Sequence, residues 1–490
     1  MSAYLLLVPI LLPILGGGFL GLHHMHNRRH REVYVLSVTL LTSACIWAVL
    51  WMRPEGMATV LSLAGTLAIE FRLDGCACVF AGLISVLWPL ASLYAFEYMK
   101  KEGKENVFFS FYTMTYGITL GISFAGNLMT MYMFYEMLTL VTIPLMMHGL
   151  DFKSIDATRK YVRYSIGGAA FAFIGFIAVY TYGDSMEFTL GGVLNGSGAQ
   201  SHKTLLLVIY VMAVLGFGVK AAIFPFHGWL PTASVAPTPV TALLHAVAVV
   251  KAGAFAIIRI TYYSFGTEFL RDTWAQYTVM AFAAFTMLFG SVKAVREQHC
   301  KRRLAYSTVS NLSYIIFAAS LMTEAGMTAA FTHMVFHGLM KITLFYCIGA
   351  VMIKTGRKYV WEMDGMGRKM PTVFAVYAIA GLSLIGIPPM VGFVSKWYIG
   401  TAAVEQGSWM AKIGIAALIV SALLTAAYIM EVVVRAWLPR KDAELPDGNW
   451  ENPGWYMRLP LIVFAAGILV LGVCSTPLIQ FFADIAAGIL

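Results

Sequence analysis

The chain has 490 residues, 59% of them hydrophobic and 12% charged, with a net charge of +9 and a mean hydropathy of +0.75. A soluble domain cannot hide that much apolar surface, so composition alone points to a polytopic helical membrane protein. The excess of positive charge describes topology and contact with anionic lipid, and it gives no support to nucleic-acid binding.

Apolar stretches of about 18 residues or more, each able to cross roughly 30 Å of hydrocarbon as a helix, recur along the whole chain. The expected spans are 3 to 22, 33 to 52, 76 to 96, 107 to 125, 128 to 149, 162 to 182, 204 to 229, 235 to 260, 273 to 293, 304 to 322, 327 to 353, 371 to 399, 410 to 437 and 458 to 483. Fourteen spans put both termini on one side. The loops after the odd-numbered spans, with Arg458, hold 24 of the 34 Lys and Arg, so the positive-inside rule makes both termini extracytoplasmic. Residues 3 to 22 lack a basic leading region and a small-residue cleavage pattern, and are read as the first span with no cleaved signal peptide. No Pro, Ser or Gly linker separates folded modules, so residues 1–490 are expected to form a single integral domain with a cytoplasmic loop at roughly 438 to 457. Six scattered cysteines suggest neither a disulfide framework nor a zinc site.

Against this apolar background stand ionisable residues at membrane depth, where a charge costs at least about 2.5 to 3.5 kcal/mol and normally faces a protein interior or a wet cavity. Glu136 lies in the fifth span, Lys220 in the seventh, His245 and Lys251 in the eighth, His333, His337 and Lys341 in the eleventh, and Lys396 in the twelfth. Any one of them alone could be a snorkelling or internally paired residue that holds helices together. Eight titratable groups in five spans favour an ion path.

Spacing adds detail. His333, His337 and Lys341 recur at intervals of four, a stripe along one helix with Lys341 about 80° round from His333 and a rise of about 12 Å. The HxxxH pair could chelate zinc, but no HExxH and no third ligand accompanies it, so no metal site is expected. In GFGVKAAIFPFHGWLP (216 to 231), Pro225 has no N–H and should break or kink the seventh span. At membrane depth the freed carbonyls need a protein interior or water, and that water would let Lys220 exchange its proton with Glu136 nearby. His227 stands near the cytoplasmic end, where proton uptake could begin. Pro388 and Pro389 precede Lys396 in the same way, and two interrupted helices bearing buried lysines suggest internal repeats. The alternative is that the proline pair merely kinks the twelfth span around its neighbours.

FHGWLPTASVAPTPVTALLHAVAVVKAGAFAIIRI (226 to 260) closely resembles the signature of the antiporter-like subunits shared by respiratory complex I, Mrp-type sodium/proton antiporters and membrane-bound hydrogenases. FRLDG (71 to 75), KRRLAYSTVSNLSYI (301 to 315), HMVFHGLMKITLF (333 to 345) and IPPMVGFVSKW (387 to 397) are similar to family segments in the family order. The resemblance covers roughly residues 70 to 437. It implies an all-α fold of about fourteen transmembrane helices with two broken helices and two inverted five-helix repeats. The repeats would lie at about 107–260 and 273–437, with the spans within 76–125 leading into the first and 458–483 following the second.

It also implies roles. Glu136 would pair with Lys220; Lys251 and His245 would occupy the central positions of the eighth helix; His333, His337 and Lys341 would form the eleventh-helix relay; and Lys396 would be the exit residue. Protons would enter near Lys220, cross at mid-membrane and leave past Lys396. His299 and Glu431 depart from the family pattern. The expected size is that of a middle-sized subunit, similar to the M or N type of complex I or the D type of Mrp, in a prokaryotic inner membrane.

The leading functional expectation is therefore a proton-translocating subunit of a larger redox-driven complex. No CxxC cluster, GxGxxG fingerprint or haem ligand set is present, so no cofactor is expected and a partner would supply the electrons. Partners would be other membrane subunits, homologous antiporter-like ones among them, together with lipids. The alternative is an Mrp-type secondary antiporter exchanging sodium or potassium for protons, and a third reading is a structural subunit whose buried charges are remnants.

Overall fold

The structure, a computed structural model, describes residues 2–65, 67–440 and 450–489. Residues 441–449 of the loop expected at roughly 438 to 457, with Lys441 of the topology count, lie outside the described residues.

The protein is a multi-pass bundle of helices. The chain enters through a short 3-10 turn, Ala3–Leu6, that runs into α1 (Leu7–Leu22), followed by α2 (Arg28–Met52), whose N-terminus is capped by Asn27 accepting from Arg29 N at 2.9 Å. A two-stranded antiparallel hairpin follows, β1 (Ala58–Ala64) and β2 (Leu67–Phe71), in register Thr59 to Glu70 and Ser62 to Ala68. The all-helical expectation omitted this hairpin. Its strands are only seven and five residues long, too short to register against the membrane-length apolar pattern.

Then come α3 (Gly75–Glu102), α4 (Glu105–Ser123), α5 (Leu128–Met146), α6 (Phe152–Tyr182), the short α7 (Ser197–Ser201) and α8 (Lys203–Lys220). Asp74, Asn127 and Asp151 cap α3, α5 and α6 by accepting from backbone N–H groups at 2.8 to 2.9 Å. The seventh span does break, but at Lys220, five residues before Pro225; residues 221 to 237 run through turns, 3-10 segments and α9 (Trp229–Thr232). The eighth span is discontinuous as well. α10 (Thr238–Ala242) passes into a π-helical segment, Leu243–Val247, then α11 (Val249–Arg259) and a second π segment, Ile260–Phe265. After α12 (Thr267–Leu270) come α13 (Trp274–Arg296), α14 (Cys300–Ser320), α15 (Glu324–Thr355) and the short α16 (Met366–Lys369).

The twelfth span is two helices, α17 (Pro371–Ile385) and α18 (Val391–Gln406), with Pro388 and Pro389 in the gap. α19 (Trp409–Trp437), α20 (Trp455–Val473) and α21 (Thr476–Ala486) complete the chain. The last expected span, 458 to 483, is therefore two helices, because Pro477 in the first turn of α21 cannot continue the α20 hydrogen-bond ladder.

Among the described residues, eleven helical stretches are long and apolar enough to cross a membrane. Of the remaining expected spans, α4 and α14 are 19 and 21 residues long, and the twelfth is divided, α17 being a 15-residue apolar helix. Side chains such as Leu15, Leu140, Ile166 and Leu423 point outward and are more than half exposed, as suits helices whose solvent is lipid. The opposite holds at the centre. The stretch Thr238–Phe265 is wholly buried and α15 is 89% buried over its most apolar window, which is where His245, Lys251, His333, His337 and Lys341 reside. Helices that carry these groups cannot face hydrocarbon, so the outer helices enclose them.

Close backbone approach occurs at both breaks and requires glycine. A Cβ on Gly253 of α11 would lie 2.6 Å from Ala221 N, just past the end of α8. A Cβ on Gly392 of α18 would lie 1.7 Å from Ser383 O of α17. One buried ion pair ties the hairpin end to the central span: Arg259, fully buried, donates to both oxygens of Asp74 at 2.6 and 2.8 Å. Phe188, Phe255 and Tyr263 face its guanidinium, their ring centroids 4.8 to 5.1 Å away. Asp74 is the acidic residue of FRLDG.

Candidate functional site

Lys220 is the last residue of α8, and its ammonium therefore sits at the carbonyl end of its own helix, where the dipole favours positive charge. Nζ donates to the carbonyl of Tyr135, stands 3.3 Å from the centroid of the Tyr135 ring, and is 3.9 Å from Glu136 Oε1. Lys220 is buried while the Glu136 side chain is 28% exposed, so the pair joins a buried cation to a carboxylate with access to the surface. His227 lies beyond the break, half-buried, with its ring centroid 4.6 Å from that of Phe289 and no hydrogen-bond partner for its buried Nδ1 among the described residues.

At the centre, Lys251 Nζ and His337 Nδ1 are 2.5 Å apart. Both residues are fully buried. The His337 and His333 rings stack with centroids 5.6 Å apart, and His333 Nδ1 reaches Ser395 Oγ at 3.0 Å. Ser395 precedes Lys396, which places the imidazoles beside the second break. His245 sits in the π-helical segment against Phe345, ring centroids 4.8 Å apart, and neither of its nitrogens has a hydrogen-bond partner among the described residues.

Lys396 reaches back across the second break. Its Nζ donates to the carbonyls of Leu384 and Ile385, both at 2.8 Å, closing the C-terminal end of α17 that the helix itself leaves open. Two prolines remove the continuing ladder, Gly386 takes a φ of +101° to end α17, and the lysine supplies the missing donor. The same ammonium lies 5.5 Å from the centroid of the Tyr314 ring, and that ring is 5.1 Å from His333.

The expected stripe His333, His337, Lys341 divides in the structure. His333 and His337 face Lys251 and Ser395, whereas Lys341 Nζ turns to α14, donating to Ser307 Oγ at 2.6 Å and to the Leu304 carbonyl at 3.3 Å. The helical offset of Lys341 from its neighbours on α15 is enough to send it to a different helix. Sequence reading did not single out Tyr314, Ser395 and Ser307, or the buried Lys301, whose Nζ donates to the Ala236 carbonyl at 2.7 Å. The signal for Ser307 and Tyr314 was the polar spacing within LAYSTVSNLSY, where Ser307, Ser310 and Tyr314 recur at three and four residues inside a membrane-depth helix.

Glu431, which departs from the family pattern, pairs with Arg435 at 3.4 Å as its i,i+4 spacing suggests, and also with the buried Arg303 of α14 at 2.8 Å. Arg435 in turn reaches Asp364 at 3.1 Å. The carboxylate belongs to an ion network at the end of the bundle. His299 occupies the connection between α13 and α14 and packs edge-on against Tyr359, ring centroids 5.5 Å apart. Burial and the neighbouring Lys301 and Arg302 push its pKa down to about 4. Among the described residues, no three His, Cys, Asp or Glu side chains gather as a set able to hold a metal ion.

With this geometry in place, the likeness to known proteins is specific. Residues 125–425 match the family described as NADH:quinone oxidoreductase/Mrp antiporter, transmembrane. The chain is 32% identical over 446 residues to the N-type subunit of NADH-quinone oxidoreductase from Desulforudis audaxviator, covering 88% of this chain and 84% of that protein. It is 26% identical to the D-type subunit of the Na(+)/H(+) antiporter from Alkalihalophilus pseudofirmus, covering 99% of this chain and 97% of that one. Some relatives are much longer: the match spans only 42% of a probable K(+)/H(+) antiporter protein of the A/B type from Rhizobium meliloti. Among solved structures, a chain of the archaeal membrane-bound sulfane sulfur reductase superposes with a TM-score of 0.87 at 23% identity, covering 99% of this chain and 98% of that chain. The chain thus belongs to the NADH:quinone oxidoreductase/Mrp antiporter transmembrane family, as an antiporter-like subunit of the kind found in complex I, Mrp antiporters and related multi-subunit membrane complexes.

Proposed function

We propose that the protein translocates protons along a lateral chain of buried side chains, as one subunit of a larger membrane complex. The observation that carries this reading is the direct contact of two fully buried titratable groups, Lys251 Nζ and His337 Nδ1, at 2.5 Å in the middle of the bundle. An amine and an imidazole in direct contact can hand a proton from one to the other, and ionisable groups kept at such depth mark an ion path.

Glu136 and Lys220 take up the proton at the first break, with His227 beside the cytoplasmic approach. Lys251, His337, His333 and Lys341 pass it across the centre, with His245 held close by, and Lys396 releases it at the second break. The chain crosses the membrane fourteen times as one integral domain, with inverted five-helix repeats around 107–260 and 273–437, and both termini face away from the cytoplasm of a prokaryotic cell. The repeated break, lysine and close-packed glycine of the two halves support that symmetry. Partner subunits hold the redox centres, and anionic lipid contacts the basic loops.

Substitution of the two ends tests the reading. In proteoliposomes of the assembled complex, Lys220→Ala and Lys396→Ala should each abolish most proton transport at normal subunit content. Full transport by both variants refutes it.

The near-complete match to a D-type antiporter protein supports a second reading, in which sodium or potassium is exchanged for protons without electron transfer. Under that reading, transport in the same vesicles depends on the sodium or potassium gradient and needs no electron donor.

A further inference from the structure

The division of Lys341 from the imidazoles raises the question of where its proton goes. Beyond Ser307 lies a series of hydroxyls on the facing sides of α14 and α19. Ser307 Oγ is 2.6 Å from Tyr428 OH, and Tyr428 OH donates to Thr425 Oγ1 at 3.2 Å. One turn further along α19, Ser421 Oγ is the hub of a second group. It accepts from Tyr314 OH at 2.7 Å and lies 3.0 Å from Ser310 Oγ and 2.6 Å from Ser291 Oγ. All these residues are buried.

Two features set this seam apart from helix-packing glue. Hydroxyls in membrane helices commonly satisfy themselves on the carbonyl four residues back, as Thr119, Thr308, Thr332 and Thr343 do here. The hydroxyls of Ser307, Ser421, Tyr314 and Tyr428 instead meet side chains of other helices, while Thr425 donates to the Ser421 carbonyl at 2.8 Å and accepts from Tyr428. In addition, the Ser307–Tyr428, Ser291–Ser421 and Ser310–Ser421 contacts can be donated from either side, and that reversibility is what a relay needs. The spacing is periodic on both helices: Ser307, Ser310 and Tyr314 on α14 face Tyr428, Thr425 and Ser421 on α19, which runs the other way.

We propose that the hydroxyls of Ser307, Tyr428, Thr425, Ser421 and Tyr314 form a second proton conduit, which leaves Lys341 through the seam between α14 and α19 and rejoins the imidazole branch beside Lys396. The inference rests on the proton-translocation reading above. Lys341 gives up a proton and becomes a neutral amine. Each hydroxyl takes one proton and passes on its own, so none is left charged; Tyr314 hands its proton through a bridging water to the amine of Lys396, which lies 5.5 Å from its ring centroid and ends as an ammonium. The turn between Thr425 and Ser421, about 5 to 6 Å between Cβ atoms, is crossed through one water.

The test uses the whole complex in proteoliposomes, with proton flux driven by a potassium diffusion potential and followed by an internal pH dye. Lys341→Ala and Lys396→Ala report on the lateral route itself. Tyr428→Phe keeps the ring and removes the hydroxyl; Ser421→Ala breaks the hub, and Ser421→Thr restores a hydroxyl there. The conduit predicts that Tyr428→Phe and Ser421→Ala each lower flux by about half or more at unchanged subunit content and melting temperature, and that Ser421→Thr recovers it. If Lys341→Ala and Lys396→Ala lower flux while both hydroxyl variants match wild type, the conduit is overturned and the lateral route survives. If all four match wild type, the translocation reading falls and takes the conduit with it.

Discussion

Lys251 Nζ and His337 Nδ1 meet at 2.5 Å between α11 and α15, each side chain fully buried. The contact needs a donor on one side and a lone pair on the other: an ammonium donates to a bare Nδ1, and a neutral amine accepts from Nδ1–H. His337→Gln keeps an acceptor within reach of Lys251 but cannot carry a proton onward. The expected outcome is an assembled complex with near-normal melting temperature and little proton flux, whereas His337→Ala loses flux and also about 1–3 kcal/mol of stability from the unpaired lysine. Flux measurement and thermal melting of both variants separate the two effects.

Lys396 closes the end of α17 by donating to Leu384 O and Ile385 O. Removing the donor leaves buried carbonyls unpartnered, at a cost of about 1–3 kcal/mol. A carboxylate in its place would also face the negative end of the helix dipole. Lys396→Glu is therefore expected to melt below Lys396→Ala, and Lys396→Ala below wild type. Melting of the purified variants gives the order directly.

Asp74 and Arg259 form a buried bidentate pair that joins the hairpin end to the central span. Either single alanine variant strands a charge and should cost about 3–5 kcal/mol or prevent assembly. The double variant should be milder than the sum of the two. Subunit yield of the three variants, read on native gels, tests the coupling.

His299 carries a pKa lowered to about 4, mainly by burial and then by Lys301 and Arg302, with Lys358 also unfavourable and Glu297 opposing. Unfolded, it would titrate near the ordinary histidine value of about 6.5. Between those values the unfolded chain binds the extra proton, so this residue's contribution to stability is full above about 6.5 and falls as pH drops toward 4. His299→Gln should flatten the loss of melting temperature between pH 6.5 and 4. An unchanged pH profile contradicts the assignment.

Much of this was legible in the sequence because the bilayer imposes a strong pattern. Each expected span overlaps helix, with the seventh, twelfth and last interrupted; Lys220 ends α8 at one break and Lys396 reaches back across another. The breaks themselves were less well located: α8 ends at Lys220 rather than at Pro225, since the close approach of Gly253 at Ala221 sets the end as much as the missing N–H does. The β1–β2 hairpin escaped notice because its alternation is short beside membrane-length runs. Spacing puts Lys341 in a stripe with His333 and His337, and the family resemblance implies its relay role; its turn toward Ser307 depends on the position of α14, which no local pattern encodes. The contact of Tyr428 with Ser307 depends on the same helix placement.

Proton flux through proteoliposomes of the complex carrying Lys251→Met tests the central claim most directly, because methionine keeps the bulk of the lysine while removing the amine that meets His337. Loss of nearly all flux with normal assembly is the predicted result. Flux equal to wild type would contradict it.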